Sequence, residues 1–288
     1  MALNKTLISA LLIPFLFLSS CKVDSNKRPE TKKQFNISTS IKNFNEKTSP
    51  PKDSPQFNLE YIESAKRNNQ YLEECIKNNP RLHDSQYLMG KLNFFLKNSE
   101  HTYVKKDTDN TIFYDVSELS LNQLQRVYLI IKSLEDSSFI QEIGKEIEED
   151  VKDKYAEHGG IILFDKKRVH LKSIESCLVK DTIYNGFYGP SEESFFTSNL
   201  GSFHIHAEDY TEIDYAHPSS RDLITSYFST HITNEAHDFL ITSLRKGTFN
   251  LDYYGGHKAE NPITKILDLG NYNYDTSEVE ENSSKIFK

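Results

Sequence analysis

Residues Gly201–Leu223 read GSFHIHAEDYTEIDYAHPSSRDL. The run Ser202 to His206 predicts a strand, whose two-residue period puts His204 and His206 on one face. Two imidazoles side by side are half of a metal site, since neutral imidazole suits zinc and its neighbours. Pro218, Ser219 and Asp222 follow where a helix is expected to begin. Asp222 can add an anionic third ligand from the first turn of that helix, with Ser219 three residues before it at the same end. A catalytic zinc needs three protein ligands and an open position, and this segment alone can supply the three.

Upstream, Glu157 opens the run Glu157-His158-Gly159-Gly160-Ile161-Ile162-Leu163, a carboxylate entering an apolar strand through two glycines. With these residues the chain resembles the JAMM (MPN-type) metalloproteases and isopeptidases. Their pattern is a glutamate ahead of a first strand, then His-x-His-Pro, then Ser-x-x-Asp. The resemblance spans roughly residues 150–256. It implies an α/β fold with a JAMM-like mixed β-sheet flanked by helices, and zinc as the cofactor. It makes His204, His206 and Asp222 the ligands, Glu157 the general base, and Ser219 the hydroxyl that steadies the oxyanion. The two glycines would let the backbone approach the site closely. Two departures stand out: Ala207 replaces the usual proline, and the loop from Ala207 to Pro218 is longer than the family norm, which bears on substrate choice.

Each element has a plainer reading. Two strand histidines can simply be hydrogen-bonded, Glu157 can be a helix-end carboxylate, and Ser219 can serve only as a helix cap. The rival metallo-β-lactamase pattern His-x-His-x-Asp-His fails twice, because Glu208 and Tyr210 stand where it needs Asp and His. In the acidic loop Glu208, Asp209, Glu212, Asp214, the carboxylates read as solvated; His217 remains open as a substrate or accessory residue. No partner can be argued for His158, His231, His237 or His257.

The chain has 288 residues and a formal net charge of −8. That acidity argues against nucleic acid as a partner. Lys5, the apolar run Leu7 to Leu18, and Leu18-Ser19-Ser20-Cys21 resemble a bacterial lipoprotein signal with its lipobox, so residues 1–21 read as a signal peptide. The apolar run is too short to span a bilayer, for which about 20 residues are needed. Lipid on Cys21 would anchor an exported protein to a bacterial membrane. The plainer alternative is a secretory signal with an incidental cysteine. Cys75 and Cys177 are read as buried thiols or as a disulfide, with nothing in the sequence to choose between them.

Residues 22–56 are polar and proline-bearing and read as a disordered tether. Residues 57–149 are expected to be mainly helical. One helix runs to just before Pro80 and a second from Ser85 to Leu96. A short strand is expected near Phe113. A third helix is capped by Ser120 with Gln123, and its stripe is Leu121, Leu124, Val127, Tyr128 and Ile131. A fourth, about Ser138 to Tyr155, buries Phe139, Ile143 and Ile147; its Glu146, Glu148, Glu149 and Asp150 read as a solvated face. Residues 150–270 are the candidate metallohydrolase domain. Its strands are expected at Gly160–Phe164, Val169–Ile174, Cys177–Tyr184 and Gly201–His206. After a helix from Ser219 to Thr230, a hairpin His237–Leu244/Thr248–Tyr254 turns around Arg245-Lys246-Gly247. The aromatic-bearing stretch 185–199 reads as a loop, and residues 271–288 as a frayed polar tail.

The expectation is a zinc-dependent hydrolase of peptide or isopeptide bonds, acting on a peptide or protein substrate at the cell envelope. The alternative is a non-catalytic envelope or surface binding lipoprotein that keeps the fold.

Overall fold

The computed structural model describes residues 59–101, 113–152, 157–165, 168–174, 200–207, 217–219, 222–223, 225–226, 230, 236–256 and 265–275. Its helices are α1 (Leu59–Asn78), α2 (Ser85–Asn98), α3 (Leu121–Ser133) and α4 (Ser137–Lys152). Its strands are β1 (Gly159–Asp165), β2 (Arg168–Ile174), β3 (Gly201–His206), β4 (Asp238–Arg245), β5 (Thr248–Gly255) and β6 (Lys265–Asn273). The segments expected as signal peptide and tether, Cys177 with the strand expected at 177–184, the stretch 185–199, the acidic loop carboxylates, His231 and His257 all lie outside the described residues.

Local chemistry sets the helix ends. Ser120 accepts the Gln123 N–H at 3.1 Å, and Gln123 reaches back to the Ser120 N–H at 2.9 Å, the capping box expected from sequence. Within α3, Leu124, Val127, Ile130 and Ile131 are buried, whereas Leu121 is exposed. Leu121, the first residue of α3, is left outside the buried stripe, and Ile130 is buried in addition to the residues expected. On α4 the buried stripe Phe139, Ile143, Ile147 continues into Asp150, which is 3% exposed. The solvated acidic face expected there is therefore corrected. Asp150 accepts the His158 N–H at 2.5 Å, Glu146 lies 3.9 Å from the His158 ring, and Glu148 accepts from the Tyr274 hydroxyl. Of the four acids, only Glu149 pairs outward, with Lys145.

The six strands form one mixed sheet in the order β2-β1-β3-β4-β5-β6. All neighbours are antiparallel except β3 and β4, which run parallel. A parallel pair needs a crossover connection, and this one carries the helical residues Asp222, Leu223, Thr225, Ser226 and Thr230. The fold class is α/β, as expected, and the helices and sheet share one apolar core: Leu88, Leu92, Val127 and Ile143 join Ile162, Phe203, Ile205, Phe239, Leu251 and Leu269.

Strand alternation divides the sheet sharply. Phe203 and Ile205 of β3 enter the helix-covered core, so Ser202, His204 and His206 face the other way. The register extends that face: Ser202 opposes Asp238, His204 opposes Leu240, and His206 opposes Thr242; on β5 the matching positions are Tyr254, Asp252 and Asn250. This polar face is buried throughout, with Thr242, Asn250 and Asp252 fully inaccessible.

No strand is expected after Tyr254, and residues from Asn271 on are expected to be frayed; instead β6 runs to Asn273, and Tyr274 is buried against the Phe249 ring. Cys75 is a free, half-buried thiol that burial pushes up in pKa, in keeping with an inert hydrophobe.

Two glycines are required by close approach. A Cβ at Gly160 would lie 2.1 Å from the Lys172 carbonyl oxygen on β2, and one at Gly201 (φ +154°) would lie 2.4 Å from the His237 carbonyl. Gly160 thus serves strand pairing rather than access to a site. Gly160→Ala is expected to destabilise the chain by on the order of 1–3 kcal/mol, because the opposing atom is backbone and cannot swing aside. Urea unfolding of the two proteins measures it; an unchanged midpoint would mean that β1 and β2 do not lie this close.

Candidate metal centre

Three segments distant in sequence meet on the polar face of the sheet. Glu157 enters from the chain just before β1. The Ile205 N–H donates to the His158 carbonyl at 2.9 Å, extending the β1–β3 ladder to that point, and Gly159 stands opposite His204. Glu157, two residues before Gly159, therefore shares the face of His204. The Asp150 bond to the His158 N–H pins this entry from α4.

Glu157, His204 and His206 are all buried, and each offers a ligand atom within 4.8 Å of the others'. The two imidazoles have ring centroids 5.1 Å apart. Asp222 closes the group from the crossover. Its Oδ1 lies 3.5 Å from His204 Nε2 and its Oδ2 3.8 Å from His206 Nε2. Ser219 and Asp222 form a reciprocal cap: the Ser219 N–H donates to Asp222 Oδ2 at 2.7 Å, and the Asp222 N–H donates to Ser219 Oγ at 3.3 Å. That cap fixes the carboxylate in place.

The electrostatics are those of a cation site. Burial would raise the Asp222 carboxyl, but the two imidazoles and Ser219 hold it down to about 2. Burial and the neighbouring His204 push His206 down to about 3, so its imidazole is neutral. At His204 burial pulls the pKa down, yet the carboxylates of Asp222, Glu157 and Asp238 outweigh it and the pKa rises. Two imidazoles with carboxylate oxygens form a mixed nitrogen–oxygen set that suits a first-row ion, unlike the all-oxygen cages of calcium or magnesium. His204 Nε2 makes no hydrogen bond, although it is fully buried. A buried nitrogen that faces its carboxylate at 3.5 Å without a hydrogen bond is costly, and an ion held between the two would satisfy both. The residues present therefore fit a metal ion.

The structure thus brings together Glu157, His204, His206, Asp222 and Ser219 as the sequence suggests. His217 lies half-buried beside them, its Nδ1 3.1 Å from the Pro218 carbonyl oxygen. Two histidines left without partners by sequence have them here. His158 meets Glu146, and His237 sits between the Tyr253 hydroxyl at 3.2 Å and Asn122 at 3.3 Å.

Sequence reasoning missed Asp238 and Tyr254. Asp238 is buried, accepts from the Ser202 hydroxyl, and is held above the usual carboxylate range chiefly by burial. The Tyr254 hydroxyl stands 3.3 Å from His204 Nδ1. The available signal was the alternation Asn250, Asp252, Tyr254 along β5, which marks a polar face on a strand whose other side is Phe249, Leu251, Tyr253. No family model matches this chain, and no curated protein or solved structure matches it either.

Proposed function

We propose that this chain is a zinc-dependent hydrolase of peptide or isopeptide bonds, JAMM-like in its site, carried on a lipid-anchored envelope protein. The observation that supports it most is convergence. A buried glutamate from β1's approach offers a ligand atom within 4.8 Å of those of two same-face histidines of β3, and a capped aspartate from the crossover faces both imidazoles at 3.5 and 3.8 Å. They do so in the order of the family pattern, with the glutamate ahead of a strand and the Ser-x-x-Asp at a helix start.

His204, His206 and Asp222 would hold the ion, leaving Glu157 as the base. A zinc ion bound there would supply a Lewis acid able to polarise a scissile carbonyl and to acidify a water. Glu157, buried beside the imidazoles, would accept a proton at its carboxylate and pass it to the leaving amine. Ser219 would donate its hydroxyl proton toward the carbonyl oxygen as negative charge develops there. Burial of Glu157, His204, His206 and Asp222 keeps bulk water from screening the charges among them, which strengthens each of these interactions. The lipobox-like Leu18-Ser19-Ser20-Cys21 supports the envelope location, which would make extracytoplasmic peptides or proteins the substrates.

Metal analysis of the full-length chain, purified without chelator, tests the reading directly. About one zinc per chain is expected, with hydrolysis of a peptide library that stops on chelation and returns with zinc. A chain that takes up no zinc overturns it. Stoichiometric zinc with no hydrolysis of any library would leave a metal-bearing binding protein in its place.

A further inference from the structure

The two ring nitrogens of His204 have different surroundings. Nε2 faces Asp222 Oδ1 at 3.5 Å and makes no hydrogen bond. Nδ1 faces the Tyr254 hydroxyl at 3.3 Å, with the two rings edge-on at 89° and centroids 6.3 Å apart. Tyr254 does not belong to the strand next to β3. It lies on β5 opposite Asp238, and Asp238 in turn lies opposite Ser202, so the tyrosine side chain crosses over β4 to reach the imidazole. Its ring is held there by Leu240 and Ile266, with Leu223 of the crossover and Phe113 packed against the same cluster. A side chain packed on this many sides has little freedom to point elsewhere.

We propose that Tyr254 is the positioning residue of this centre: its hydroxyl orients the His204 ring and fixes Nε2 as the nitrogen offered to a metal ion. The inference rests on the metal reading above. An imidazole that gives its Nε2 lone pair to a cation must carry its hydrogen on Nδ1, and that N–H needs an acceptor in a site closed to water. The Tyr254 oxygen is the acceptor in place. A hydroxyl has a further property that a carboxylate or carbonyl lacks, since it can donate as well as accept. Without a metal it can donate to Nδ1 while Nε2 carries the hydrogen toward Asp222; with one it accepts from Nδ1. The same contact therefore serves both states and requires no movement of the ring.

The test uses the full-length chain with zinc alone as the probe. In the Tyr254→Phe protein, which keeps the packed ring, the zinc dissociation constant measured by chelator competition should rise by about 10–100-fold. A purely structural tyrosine would lower the melting temperature of the metal-free protein and leave the zinc-dependent increment in melting temperature intact. Here the increment should shrink. Nitrogen-15 spectra of histidine-labelled wild type give a second reading that needs no variant: the zinc-loaded protein should show His204 protonated at Nδ1, with slow solvent exchange. Zinc affinity within twofold of wild type in Tyr254→Phe, or a loaded wild type with His204 unprotonated at Nδ1, overturns the proposal while leaving the metal centre standing. A wild-type chain with no zinc affinity removes both.

Discussion

Glu157→Gln is expected to lower peptide hydrolysis by about 10²–10⁴-fold while the protein still binds zinc. Glutamine has nearly the same shape, so the buried position ahead of β1 stays filled. It cannot accept a proton at neutral pH, which removes the one group assigned that task. The histidines and Asp222 are untouched, and the metal should remain within about tenfold of wild-type affinity if they are the ligands. Single-turnover rates with equilibrium zinc titration separate the two roles. Hydrolysis that persists in the variant removes Glu157 from the chemistry. Zinc lost together with activity would make Glu157 a ligand, an arrangement its place within 4.8 Å of both imidazoles allows.

The second large effect is expected at Asp222. Asp222→Asn keeps an oxygen that can accept the Ser219 N–H, so the helix start should hold, but it removes the negative charge that faces both imidazoles at 3.5 and 3.8 Å. Losing a charged ligand should cost more than the 10–100-fold typical of an outer partner, and zinc binding should fall by at least about 10²-fold. Asp222→Ala also breaks the reciprocal cap and should lower the stability of the metal-free protein by about 0.5–2 kcal/mol more than the asparagine change. Calorimetric zinc titration and thermal unfolding of both variants give the two numbers. Equal zinc affinity in wild type and Asp222→Asn would show that Asp222 serves the cap alone.

What could be read from the sequence was whatever short-range spacing encodes. The Ser120–Gln123 box, the strand Gly201–His206 and the Ser219–Asp222 pair depend on neighbours a few residues away, and the structure has them as read; the hairpin expected around Arg245-Lys246-Gly247 is there too, with Arg245 still in its first strand. β6 escaped because its register shifts where Leu251 opposes Gly270 and Asp252 opposes Asp268. Leu269 is the extra residue there, and it breaks the two-residue alternation that would have announced a strand. The acids of α4 misled for a different reason. Composition marks Asp150 as a surface residue, and only the fold shows the His158 N–H waiting for it. Gly160 illustrates the same limit, since its bare Cα answers to a carbonyl on the next strand that no local pattern reveals. Tyr254 belongs with these, since its link to His204 spans β4 and exists only once the register is set.

The parallel pairing of β3 with β4 has a consequence for biosynthesis. Asp222 reaches the imidazoles only because the chain must leave one end of β3 and travel back to start β4, so it cannot arrive before that return trip is made. On a ribosome, a nascent chain halted after His206 would hold Glu157 and both histidines but lack the anion that completes the set. An ion held by all of these groups would then be captured only after the crossover has folded back over β3.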